Sequence, residues 1–118
     1  SVEGVNQVIM NLLTNAIDAI PEKGEINITA TYEVDDDCIA VQVRDNGVGI
    51  AKENIDRIFD PFFTTKETGS GTGLGLYLAY NIVIAHHGSI EVDSAEGVGT
   101  TFTLRLPRMV PNGLELPS

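Results

Sequence analysis

The sequence predicts a single α+β domain. Three observations carry that prediction: two stretches, 5–20 and 74–85, place apolar residues three and four apart; four others alternate apolar with polar residues; and 118 residues suffice for one core but not two. Seven Lys and Arg against 17 Asp and Glu leave a net charge of −10, which argues against a nucleic-acid surface, because binding that polyanion requires phosphates to be neutralised. A small phosphorylated ligand stays possible, since a few placed donors and a divalent cation can hold one. No stretch is long and apolar enough to span a bilayer, and the first residues lack a basic region followed by an apolar one. The expectation is therefore a cytoplasmic domain without membrane contact. The lone Cys38 has no companion for a disulfide or a zinc site and reads as a small buried hydrophobe.

The first helix is read from Val5, Val8, Ile9, Leu12, Leu13, Ala16, Ile17 and Ile20, which form one broad apolar face ended by Pro21 and Gly24. Its other face carries Gln7, Asn11, Asn15 and Asp18, a narrow stripe at about 100° per residue. Solvated helix faces are usually built from Lys, Glu and Arg, and Asn is a mediocre helix former. The stripe reads as a pocket wall, with an ordinary polar face as the alternative. A carboxamide oxygen is a hard, neutral ligand suited to Mg²⁺, which completes its shell with water and phosphate oxygens.

Residues 25–34 alternate, with Ile26, Ile28, Ala30, Tyr32 and Val34 on one side, as expected of a half-buried strand. Asp35, Asp36 and Asp37 form a solvated turn into a second strand through Ile39, Val41 and Val43. The same parity puts Asp45 on the apolar side, where a carboxylate needs a partner. Asp45-Asn46-Gly47-Val48-Gly49 reads either as a hairpin turn or as a ligand loop in which glycines clear space for a flat molecule and Asp45 accepts its hydrogen bond. Residues 50–59 look like a short helical turn rather than a returning strand, which favours the loop. The segment from Phe59 through Asp60-Pro61-Phe62-Phe63-Thr64-Thr65-Lys66 to Ser70 reads as core aromatics or as a lid, with Lys66 able to meet a phosphate.

Gly69-Ser70-Gly71-Thr72-Gly73-Leu74-Gly75-Leu76 runs into the second helix. It reads as a phosphate cradle of close-approaching N–H groups at a helix start, or as a flexible loop. That helix, 74–85, has Gly88 as its expected C-cap, and His86 and His87 sit at its end in a favourable dipole environment. Residues 89–94 and 100–106 alternate around Gly97-Val98-Gly99, and the sequence from 108 to 118 reads as a tail. A P-loop is excluded, because no Gly-Lys precedes Ser or Thr, and the dinucleotide fingerprint lacks its third glycine. No Ser or Cys has a recognisable His partner for a hydrolase triad.

Five segments taken in order, Asn11-Leu-Leu-Thr-Asn15-Ala, Asp45-Asn-Gly-Val-Gly49, Phe59-Asp-Pro-Phe62, Gly71-Thr-Gly-Leu-Gly75-Leu76 and Gly97-Val-Gly99-Thr100, resemble the catalytic ATP-binding domain of two-component sensor histidine kinases. That domain belongs to the GHKL superfamily, with DNA gyrase, mismatch-repair MutL proteins and the ninety-kilodalton heat-shock chaperones. The resemblance implies a two-layer α/β sandwich, the Bergerat ATP-binding fold, with a mixed sheet, helices on one face, and ATP and Mg²⁺ as cofactors. It implies that residues 1–107 are the catalytic domain and 108–118 a C-terminal tail. The resemblance also implies that the helix and strand that usually precede the asparagine helix lie outside this sequence.

By the same resemblance Asn15 ligates Mg²⁺, Asn11 supports the phosphate end, and Asp45 reads the adenine amino group. Gly47 and Gly49 shape the base pocket, and Thr100 holds adenine through water. Gly71, Thr72, Gly73, Leu74, Gly75 and Leu76 line the phosphates, and Lys66 meets one in a short lid like that of the nitrogen-regulation class. Asn11 and Lys66 are thus the expected catalytic residues. Hydrolytic members of the superfamily carry a water-activating glutamate at the place of Asn11, and a carboxamide is no comparable base. That favours transfer to a histidine on a separate dimerisation and phosphoacceptor domain of the same parent protein, with a response regulator reached indirectly. An ATP-hydrolysing conformational switch and an anti-sigma-factor-type serine kinase stay as alternatives. Asp18 stands where many kinases carry a basic contact, and neither histidine fits the acceptor motif.

Overall fold

The computed structural model describes residues 2–63 and 75–107. In chain order these form α1 (Val2–Ala19), β1 (Ile26–Glu33), β2 (Cys38–Asp45), a 3₁₀ helix (Lys52–Arg57), α2 (Gly75–Ala85), β3 (Ser89–Ala95) and β4 (Gly99–Pro107). Every predicted helix and strand over these residues is present, with ends shifted by up to three residues.

The four strands lie in the order β1-β2-β4-β3 and pair antiparallel throughout. A mixed sheet was expected, and the connections explain the difference. The passage from β2 through α2 does return β3 in the same direction as β2, but β4 folds back from β3 by a tight turn and inserts between them. No parallel pair is formed among the described strands. At that turn Val98 N–H donates to Ala95 O at 3.0 Å, and Gly97 adopts a φ of 77°, which glycine reaches without a steric penalty.

The register stacks Ile28, Val43, Phe102 and Val92 in one cross-strand row and Ala30, Val41, Leu104 and Ile90 in the next. Against these rows α1 brings Val8, Leu12 and Ala16, and α2 brings Ala79 and Val83, with Ile58 closing the cluster. Fully burying each of the larger aliphatic side chains stabilises the fold by about 1.5–3 kcal/mol. Phe59 joins the core at ring-centroid distances of 5.5 Å from Tyr80 and 6.3 Å from Phe102.

Three local expectations are corrected. Ile17, expected on the apolar face of α1, is 61% exposed. The apolar row of β1 is exposed at Ile28 and Tyr32 rather than covered, because the helices rest principally on β2 and β3. At the end of α2 the left-handed residue is His87, with φ 61°, not Gly88. His87 N–H donates to Ile84 O at 2.9 Å and Gly88 N–H to Val83 O at 3.0 Å, the two bonds of a Schellman motif. Gly88 is needed for another reason: a Cβ there would lie closer than 3.0 Å to the carbonyl oxygen of Arg105 on β4.

Candidate nucleotide site

Beyond the apolar rows, the helix-facing side of the sheet ends in a polar one. Ile26, Asp45, Thr100 and Ser94 are cross-strand neighbours in sequence of strands, so the three polar side chains project from the same face. Asp45 is only 4% exposed and Thr100 3%. The carboxylate has the partner its position demands, since Gly47 N–H donates to Asp45 Oδ1 at 2.8 Å. The hairpin reading of Asn46-Gly47 is not realised: the chain turns into the 3₁₀ helix.

The loop after Asp45 is wedged between α1 and the β3–β4 turn. Val48 N–H donates to Ala19 O at the end of α1 at 2.9 Å, and Val48 O accepts from Gly97 N–H at 2.8 Å. Asn46 Oδ1 accepts from Glu25 N–H at 2.8 Å, which ties the loop to the start of β1. A Cβ on Gly47 would come closer than 3.0 Å to Ala19 O, and one on Gly49, where φ is 74°, would come as close to Ala95 O. Gly99 approaches the backbone of Asp45 in the same way. The glycines thus do more than clear space for a ligand: they let three backbone segments meet around Asp45.

From that loop α1 leads away toward Gly75, the first residue of α2. Asn15 lies one turn before Ala19 and Asn11 two, so the helix rises about 6 Å and about 12 Å from the loop contact to these positions. Both asparagines are half-buried. Asn11 Nδ2 donates to Gly75 O at 3.0 Å, and Gln7 Nε2 donates to Asn11 Oδ1 at 3.1 Å. The carboxamide stripe therefore fastens α1 to the first residue of α2. Among the described residues a Cβ on Gly75 would meet nothing within 4 Å, while Leu76 packs against the core.

The structure thus brings Asp45, Gly47, Gly49 and Thr100 together at the C-terminal end of α1 and Asn11, Gly75 and Leu76 near its middle, with Asn15 between. Lys66, Gly71, Thr72, Gly73 and Leu74, and the tail 108–118, lie outside the described residues. Of the aromatic segment, Phe63 packs on the core and under the Arg57 guanidinium, 4.8 Å from its ring centroid. Phe62 is 71% exposed with φ 66°. Among the described residues no group of three or more His, Cys, Asp or Glu could hold a metal, so a cation here would depend on a carboxamide and on oxygens brought by its ligand.

One site residue was missed by the sequence argument. Ser94 Oγ lies 2.7 Å from Thr100 Oγ1 and accepts from Ile50 N–H at 2.8 Å. Its signal was parity, since Ile90, Val92 and Ser94 repeat the pattern of Val41, Val43 and Asp45.

The candidate site thus consists of a buried carboxylate at the end of β2, glycines that admit close backbone contact, and a carboxamide stripe leading to the start of α2. Residues 1–110 match the family described as histidine kinase-, DNA gyrase B-, and HSP90-like ATPase, and the chain belongs to that family. It is 50% identical over 105 residues to the signal transduction histidine-protein kinase AtoS of Escherichia coli (strain K12), covering 89% of this chain and 17% of that protein. Sporulation kinase E of Bacillus subtilis (strain 168) is 42% identical over 103 residues, covering 87% of this chain and 14% of the kinase. The catalytic domain of histidine kinase ThkA in a nucleotide-free form superposes with a TM-score of 0.74 at 38% identity, covering 89% of this chain and 66% of that one. The mycobacterial sensor histidine kinase MprB gives 0.79 at 27% identity, covering 98% and 74%. The domain is homologous to the ATP-binding catalytic part of sensor histidine kinases, and it spans a small fraction of the length of the two curated kinases.

Proposed function

We propose that this chain binds Mg²⁺–ATP and supplies the catalytic half of a sensor histidine kinase, residues 1–107 forming the working domain and 108–118 a tail. The observation that carries this reading is the line from buried Asp45, through Asn15, to Asn11 and Gly75 at the start of α2. Asp45 accepts the adenine amino group, the Gly47 and Gly49 backbone forms the floor of the base pocket, and Thr100 holds the base through water. Asn15 offers its carboxamide oxygen to Mg²⁺, which neutralises phosphate charge when bound. Gly71, Thr72, Gly73, Leu74, Gly75 and Leu76 surround the phosphates with backbone N–H groups, and Lys66 adds a cation.

Catalysis on such a site rests on positioning. An imidazole nitrogen of an acceptor histidine forms a bond to the γ-phosphorus as the bond to the β,γ-bridging oxygen breaks, and ADP leaves with that oxygen. Asn11 is engaged with Gly75 and Gln7 and carries no carboxylate, which supports transfer to an acceptor over activation of water. The acceptor belongs to a dimerisation and phosphoacceptor domain of the parent protein, and a response regulator takes the phosphoryl group afterwards in the cytoplasm. The test mixes the chain, Mg²⁺–ATP labelled at the γ-position and the parent's acceptor domain. Label is expected on a histidine of that domain, acid-labile and base-stable. Free phosphate released at the same rate without acceptor would instead favour an ATP-hydrolysing switch.

A further inference from the structure

We infer that Ser94 is a positioning residue that sets the hydrogen-bonding polarity of the base pocket and so contributes to selection of a 6-amino over a 6-oxo purine. The inference rests on the nucleotide reading given above. A serine hydroxyl has one proton and two lone pairs. Ser94 Oγ has three partners: Ile50 N–H donates to it at 2.8 Å, Gly99 O accepts from it at 3.0 Å, and Thr100 Oγ1 lies 2.7 Å away. With the Ser94 proton on the Gly99 carbonyl, all three contacts are satisfied only if Thr100 is the donor to Ser94. The opposite assignment strips the Gly99 carbonyl of that bond.

The consequence falls on Thr100. Its proton is turned toward Ser94, and only lone pairs remain for anything beside Asp45, its cross-strand neighbour. Asp45 likewise presents carboxylate oxygens, one of them already accepting from Gly47 N–H. The polar end of the pocket is thus a set of acceptors. An exocyclic amine meets it with donors, and a water that donates both to Thr100 Oγ1 and to a ring nitrogen fits as well. A 6-oxo group at the same place faces lone pairs. Ser94 also ties the loop at Ile50 to β3, but that tie alone would hold any base equally.

The test compares binding of ADP and inosine diphosphate, which differ in the 6-substituent and in the proton that the 6-oxo base carries at N1, by calorimetry on the full chain with Mg²⁺. The wild-type chain is expected to prefer ADP. In Ser94→Ala the Thr100 proton is free to turn toward an oxo group, and the ADP preference is expected to fall about tenfold, the scale of one hydrogen bond. Ser94→Thr keeps the hydroxyl and is expected to keep the preference within about twofold of wild type. Should the alanine variant fail to fold, Ser94→Cys keeps the volume with a weak thiol donor and is expected to lose preference in the same direction. Affinities that fall equally for both nucleotides, leaving the ratio unchanged in a folded variant, would overturn the inference and leave Ser94 a structural tie. Absence of ADP binding by the wild-type chain would overturn the nucleotide reading itself.

Discussion

Three glycines separate the two costs that a side chain can impose on this loop system. Gly49 has φ 74° and no room, because an added Cβ would come closer than 3.0 Å to the Ala95 carbonyl; among the described residues, a Cβ on Gly97, with φ 77°, or on Gly75 at a helix start would meet nothing within 4 Å. An alanine at Gly97 pays only the left-handed backbone, about 1–2 kcal/mol. An alanine at Gly49 pays the same and must also push the loop off β3, straining the Val48–Gly97 hydrogen bond of 2.8 Å. The displaced contact is backbone, so its cost is that of an overpacked site, about 1–3 kcal/mol more. Gly49→Ala is therefore expected to cost about 2–5 kcal/mol, a large share of the roughly 5–15 kcal/mol that holds a typical domain together. Gly75→Ala is expected to be neutral or stabilising by up to about 1 kcal/mol, since alanine is the better helix former. Urea unfolding of the three variants, with the slopes checked for equality, measures these differences. Equal losses for Gly49→Ala and Gly97→Ala would refute the argument that close backbone approach fixes Gly49.

Further outcomes follow from the packing and the charges. Leu12→Ala, at a site with no exposure, is expected to cost about 2–5 kcal/mol, and Ile17→Ala, on the exposed side of the same helix, to stay within about 0.5 kcal/mol; urea midpoints decide this. Asn11→Ala removes the bond to Gly75 O and should cost about 0.5–1.5 kcal/mol in the same assay. The hydrogen bond from the Cys38 thiol and that from Arg105 hold the Glu33 carboxyl below its ordinary value. Its stabilisation is therefore present above the usual carboxylate range and lost as pH falls through the lowered value, so Glu33→Gln should flatten the acid limb of a stability–pH profile. Burial, then the Glu33 carboxylate, pushes the Cys38 thiol up. The folded chain is accordingly stable below the ordinary thiol value and loses stability as pH rises through the raised one, a slope that Cys38→Ala should remove.

Periodicity made most of this fold legible in the sequence. The apolar faces of α1 and α2 and the parity of β2 and β4 located the core, and the parity of Asp45 located the one carboxylate on the apolar side. What was not legible depends on elements meeting. Ile17 has the right spacing on α1, yet burial is decided by where the helix sits over β2. Tyr32 alternates correctly, yet the helices rest principally on β2 and β3. The direction of β4, inserted between β2 and β3, follows from chain connection rather than from any residue pattern, and the mixed sheet was expected from the family resemblance alone. At the site, Asp45, Asn11 and Asn15 stood out by residue type, because a carboxylate in an apolar row and carboxamides on a helix are chemically conspicuous. Ser94 did not, since a serine at the end of a strand is ordinary until its three partners are seen.

The central claim is that Asp45 and its loop bind adenine. Calorimetric titration of Mg²⁺–ADP into the wild-type chain and into Asp45→Asn tests it most directly, with unfolding curves on both to show that each is folded. Saturable binding by the wild type, weakened at least about tenfold in the variant, is the expected result, the scale of a hydrogen bond to a charged group. Binding of equal strength in a folded Asp45→Asn chain, or none in a folded wild type, would contradict the account.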